Sequence, residues 1–110
     1  MLVTKMAEGI EEIKILLDRI DDCLFLNGCG SHRKFVLELK LALERGLPEF
    51  GRAYCSANWW GGAGSMSDLW PGDSSETSKY RRLLIELVEK VEALEGHCDI
   101  ASMRASQLKS

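Results

Sequence analysis

Three features of this chain point to a small all-α protein, folded as an antiparallel helical bundle. Apolar residues recur at spacings of three and four over long stretches. No segment alternates apolar and polar residues with β-branched enrichment. Glycine, proline and tryptophan gather in one place, Asn58 to Asp73, which holds all three tryptophans. The helical pattern is therefore broken once, by a long Trp/Gly-rich crossover, with three long helices and one or two short ones around it. At 110 residues the chain makes one domain, 1–110, able to bury a core without metal or a disulfide framework.

The first helix is expected from about Thr4 to Leu26. Ile10, Ile13, Leu17, Ile20 and Leu24 form its stripe, Leu16 and Cys23 widen it, and Asn27-Gly28 supplies a left-handed stop. Ser31 is a candidate N-cap for a second helix reaching Arg45 or Gly46. Its main apolar face is Phe35, Val36, Leu39, Ala42 and Leu43, while Leu37 and Leu41 point nearly the opposite way. Such a helix is either buried centrally or uses its second side against another chain. Pro48 suits the first turn of a short third helix to about Ala57, anchored by Phe50 and Tyr54. The Ser74–Thr77 segment opens a last long helix to about Glu95, with Tyr80, Leu84, Leu87, Val91 and Leu94 as its stripe. From His97 onward the pattern fades, and residues 96–110 read as a frayed or weakly packed short helix.

A net charge of -3 favours solubility and disfavours a nucleic-acid role, which needs a clearly basic face. Neither a transmembrane run nor a signal peptide is evident, so no membrane association and a cytoplasmic location are expected. In that compartment Cys23, Cys29, Cys55 and Cys98 default to free thiols, Cys23 and Cys55 as small core residues. Cys29-x2-His32 and His97-Cys98 carry metal-ligating types, yet adjacent ligands are poor partners for one ion and no Cys-x2-Cys exists, so no metal is assigned. Two histidines, no nucleophile elbow and no His-Glu-x-x-His leave no catalytic set and no cofactor to expect.

The crossover is the candidate site. Gly61, Gly62 and Gly64 can bring backbone N–H groups close to a ligand, Ser65 and Ser67 add hydroxyls, and Trp59, Trp60 and Trp70 can wall an apolar pocket. Arg81 and Arg82, early in the last long helix, would complete a site for an anion. The alternative is structural: Ser65-x-x-Asp68 has capping-box spacing, the glycines satisfy unusual dihedrals, and the tryptophans plug the end of the bundle. Charge clusters at Asp18, Asp21 and Asp22 and at His32, Arg33 and Lys34 oppose their helix dipoles, and an antiparallel pair of helices would match them.

The segment Gly61-Gly62-Ala63-Gly64-Ser65-Met66-Ser67-Asp68-Leu69 resembles the Gly-Gly-x-Gly-Ser-x-x-Asp-Leu signature of a family of small uncharacterised bacterial all-helical domains. The resemblance implies a bacterial origin and makes Gly61, Gly62, Gly64, Ser65, Asp68 and Leu69 motif positions. It carries no activity with it.

Two functions follow. One is a non-enzymatic protein-interaction or regulatory module, adaptor-like or immunity-like, acting as a homodimer through Leu37 and Leu41 or on a protein partner. The other is a small-ligand or anion-binding protein, or a minimal enzyme, using the 58–73 loop.

Overall fold

The computed structural model describes residues 2–94, 96 and 98–109, with side chains from Met6 onward. The expected helix end at Glu95 and the histidine of the His97-Cys98 pair lie outside these residues. Among the described residues six helices follow one another: α1 (Leu2–Leu26), α2 (Arg33–Arg45), α3 (Leu47–Tyr54), α4 (Ala57–Trp60), α5 (Ser74–Leu94) and α6 (Asp99–Lys109). Short 3-10 turns, Gly30–His32 and Met66–Asp68, precede α2 and interrupt the crossover. Among the described residues there is no strand, and no helix is long and apolar enough to cross a membrane.

α1 and α5 are the central antiparallel pair. Ile13, Leu17, Ile20 and Leu24 of one meet Tyr80, Leu84, Leu87 and Val91 of the other in a single core. Fully burying each such aliphatic side chain is worth about 1.5–3 kcal/mol. Gly9 touches Leu94 at one end, and Asn27 lies beside Gly72 and Glu76 at the other. Lys90 and Glu12 pair at 2.8 Å across the outside. α1 stops where Asn27-Gly28 suggests: Gly28 has φ 75, and the Cys29 amide donates to the Leu24 carbonyl at 2.8 Å in a Schellman-type closure.

α2 returns along α1, and the dipole-opposing charges find each other. Arg33 grips Asp21 with two hydrogen bonds of 2.9 Å, and Lys40 meets Asp18 at 2.6 Å. The Arg33 hydrogen bonds hold the Asp21 carboxyl below the usual carboxylate range. Val36, Leu39, Ala42 and Leu43 are buried, whereas Leu37 and Leu41 remain 57% and 43% exposed. Ser31 is not the N-cap; it sits inside the 3-10 turn, and His32 takes the capping position without a side-chain cap bond. α3 ends at Tyr54 rather than Ala57, because the chain turns at Cys55 and restarts as α4.

Two expectations are corrected at this turn. Cys55 and Cys98 form a disulfide, with Cα atoms 6.0 Å apart, so they are not free thiols, and Cys55 is exposed rather than a core residue. Cys23 is the buried thiol of the core, and burial pushes it up, keeping it protonated. Beyond the disulfide, the segment expected to fray is the 11-residue helix α6, which buries Ala101 and Ala105 and packs on α5 and α4. Alanines bring helices close but leave a weak apolar stripe in the sequence.

The bond closes a loop across a sequence separation of 43 residues, which chain-entropy reasoning values at about 4 kcal/mol. Reduction by a dithiol, or Cys55→Ser, is expected to lower the unfolding free energy measured by urea titration by an amount of that order, seen as a lower midpoint. An unchanged midpoint would mean that α6 docks without the bond.

Candidate functional site

The crossover is irregular chain folded into the end of the bundle, and several of its polar groups are matched there. Trp59 and Trp60, on the single turn of α4, are each only 2% exposed. Trp60 stands edge-on to Tyr54 with ring centroids 5.6 Å apart, and its indole N–H donates to the Tyr54 carbonyl at 2.8 Å. Burying a tryptophan with its N–H satisfied removes a large apolar area at no hydrogen-bond cost, and truncation to alanine typically costs about 3–5 kcal/mol.

After α4 the chain reverses through the glycines. A Cβ on Gly61 would lie 2.6 Å from the Ala57 carbonyl oxygen, so this position tolerates no side chain; Gly62 and Gly64 have open space around them. Ser65, 4% exposed, donates to the Gly61 carbonyl at 2.6 Å and lies 3.2 Å from the Ser67 hydroxyl. The capping-box spacing of Ser65 and Asp68 coincides with a short 3-10 turn at Met66–Asp68, but the bonding differs from a capping box: Ser65 makes no side-chain cap bond, and Asp68 instead accepts from the Gly64 amide at 3.3 Å. Tyr80 of α5 donates its hydroxyl to the Met66 carbonyl at 2.5 Å, and burial pushes its phenol up, so it remains a neutral donor.

Two side chains that sequence reasoning left out of the site belong to it. Arg104 of α6 donates Nε to the Ser67 hydroxyl at 3.1 Å and brings Nη2 within 3.6 Å of Asp68. His32 Nε2 lies 3.0 Å from the Gly64 carbonyl; a carbonyl cannot donate, so that nitrogen carries the proton. No local spacing links positions 32, 68 and 104; only the packing of α6 and the turn before α2 against the crossover brings them together.

The third tryptophan behaves differently. Trp70 is 68% exposed, and the Arg81 guanidinium lies over its ring, 4.3 Å from the centroid. The Arg81 Nε is buried and has no hydrogen-bond partner among the described residues. Arg82 is exposed. Pro71 is buried and its carbonyl accepts from Thr77 at 3.1 Å. Gly72 has φ 69, and a Cβ there would meet the Asn27 amide oxygen at 2.4 Å, so the approach of the crossover to α1 requires glycine.

The predicted residues thus separate into two groups. Trp59, Trp60, Gly61, Ser65 and Asp68 form an internally bonded plug, Gly62 and Gly64 cross its surface, and Trp70 with Arg81 forms a small outward-facing pair. Leu37 and Leu41 lie elsewhere, on the outside of α2. Asn58 and Trp59 border a shallow groove of about 120 Å³ beside Phe35 and Glu38. The buried Ser65 and Ser67 hydroxyls face the Gly61 carbonyl, each other and Arg104, an arrangement that fixes the loop.

Gly61→Ala is expected to destabilise the protein by roughly 1–3 kcal/mol, because backbone must move to admit the methyl group. Gly62→Ala should stay within about 0.5 kcal/mol. Urea unfolding of both variants tests the contrast, and equal effects would contradict the assigned roles.

No protein-family model, curated protein or solved structure matches this chain, and the Gly-Gly-x-Gly-Ser-x-x-Asp-Leu segment is a resemblance in its residues alone.

Proposed function

We propose that this chain is a non-enzymatic protein-interaction or regulatory module, adaptor-like or immunity-like, that acts as a homodimer through the outer face of α2. The observation that carries this reading is the exposure of Leu37 and Leu41, large aliphatic side chains one turn apart on the side of α2 facing away from the core. Isolated exposed leucines are ordinary, but a pair on a helix whose other side is fully buried is an unpartnered apolar stripe. The plug supports the same reading from the other direction, since its serine hydroxyls and the Trp60 indole are used internally. A cytoplasmic location belongs to the sequence-based reading, and the Cys55–Cys98 bond stands against it, because reducing compartments keep such pairs as thiols.

Leu37→Glu with Leu41→Glu is expected to yield a folded monomer, helical by circular dichroism, where the unmodified chain sediments as a dimer. A dimer that survives both substitutions would sink the assignment of this face.

A second reading, a small-ligand or anion site at the crossover, is favoured by one observation: exposed Trp70 beneath Arg81, whose Nε lacks a partner. Iodide should quench Trp70 and leave Trp59 and Trp60 shielded, so Trp70→Phe should abolish the quenchable fluorescence. Protection of Trp70 by a fraction of small metabolites would favour this second reading over the first.

A further inference from the structure

Four residues on the outside of α2 follow one another at spacings of three, four and three: Lys34, Leu37, Leu41 and Glu44. That is the spacing of a helix-pairing seam, in which positions from two helices meet in layers. All four are exposed, and the two leucines form its centre. The order of the charges along it is not symmetric: the cation is at the start and the carboxylate at the end.

This order discriminates between orientations. In a parallel pair of α2 helices, Lys34 would face Lys34 of the second copy and Glu44 would face Glu44, with like charges at both ends. In an antiparallel pair centred on Leu39, Leu37 lies across from Leu41 of the second copy, and Lys34 lies across from Glu44. Both outer layers then join opposite charges, and both inner layers join leucines.

The flanks of the seam agree. Arg33 and Lys40 lie along one edge, where two copies would bring cations together, but each is already neutralised within its own chain by Asp21 and Asp18. Glu38 and Arg45 lie along the other edge and carry opposite signs. Among the described residues neither Lys34 nor Glu44 forms a salt bridge; the Lys34 ammonium lies 5.2 Å from the Phe35 ring centroid, an exposed contact worth less than an ion pair across the seam. Leu37 borders one surface groove of about 240 Å³, between Arg33, Lys34 and Lys40. Leu41 borders another of about 470 Å³, toward Arg45 and Arg52. These hollows give the leucines of an opposing helix somewhere to seat.

We infer that the occupant of the α2 face is a second copy of this chain, packed antiparallel about a two-fold axis near Leu39, with paired Lys34–Glu44 layers enclosing a Leu37–Leu41 core. The inference rests on the interaction reading above and adds to it the partner, the orientation and the register. A helix of 13 residues is only roughly 20 Å long. An interface of that length falls toward the small end of specific interfaces, so the dimer should be in a concentration-dependent equilibrium with monomer.

Sedimentation velocity over a wide concentration range, on four versions of the full chain, tests this. The unmodified chain should dimerise as concentration rises. Lys34→Glu and Glu44→Lys should each weaken the dimer by about tenfold or more, since each sets like charges face to face in two layers. The double variant Lys34→Glu with Glu44→Lys should restore it, because the exchange leaves every antiparallel layer complementary. Circular dichroism should be the same for all four, as both positions are exposed. An unmodified chain that stays monomeric throughout would overturn self-association and the inference together. A dimer indifferent to the single substitutions, or a double variant without recovery, would overturn the antiparallel register and leave self-association standing.

Discussion

Irregular backbone can enter the interior of a protein only if its carbonyls and amides find partners there, and side chains supply such partners at five carbonyls along the crossover between α3 and α5. The Tyr54 carbonyl takes the Trp60 indole, the Gly61 carbonyl takes Ser65, the Gly64 carbonyl takes His32, the Met66 carbonyl takes Tyr80, and the Pro71 carbonyl takes Thr77. The donors come from the crossover itself, from the turn before α2 and from α5. Trp59 and Trp60 are thereby buried at the end of the bundle over main chain whose Tyr54, Gly61 and Met66 carbonyls are paired. An unmatched buried polar group costs about 1–3 kcal/mol, so the buried and half-buried matches at Tyr54, Gly61, Met66 and Pro71 help decide whether this loop is a folded element or a frayed one, while the Gly64 match lies at its surface.

That arrangement explains why α6 docks where it does. Its Ala101 and Ala105 are buried and its Ile100 and Leu108 pack half-buried against the core, and two attachments add to this apolar contact. At its start Cys98 is bonded to Cys55, at the turn from which α4 departs; further on, Arg104 reaches Ser67 and Asp68. Both attachments lead into the crossover. The plug and the last helix support each other, and neither is a separate layer of the bundle.

The outside of the molecule carries the remaining apolar side chains. Phe25 and Leu26 are exposed at the end of α1, with the Arg33 guanidinium over Phe25, and Leu37 and Leu41 follow on α2. Arg33 is also the residue that clasps Asp21, so the α1–α2 ion pair sits at the edge of this surface. A partly exposed pair of this kind adds little stability but fixes the angle at which α2 is presented. The core pairing of α1 with α5 thus leaves α2 as a helix with one side in the interior and one side toward solvent, which is the physical ground for reading function there.

What the sequence determined by itself are the features governed by neighbours along the chain. The stripes of α1, α2 and α5, the stop at Gly28, the opposed sides of α2 and the short turn at Met66–Asp68 depend on spacings of three and four and on residues that tolerate particular dihedrals. The match of Asp21 with Arg33 at the start of α2 was legible too, because a short connection makes adjacent helices antiparallel, whereas Asp18 pairs with Lys40 farther along α2. The tertiary structure alone decided what depends on distance in space. It joined Cys55 to Cys98, brought His32 and Arg104 to the crossover, and buried Trp59 and Trp60 while leaving Trp70 out under Arg81. Three tryptophans within a dozen residues look alike to any local pattern. Their fates differ because one pair falls on a helical turn covered by α6, whereas the third falls where Pro71 and the close approach of Gly72 to Asn27 turn the chain outward.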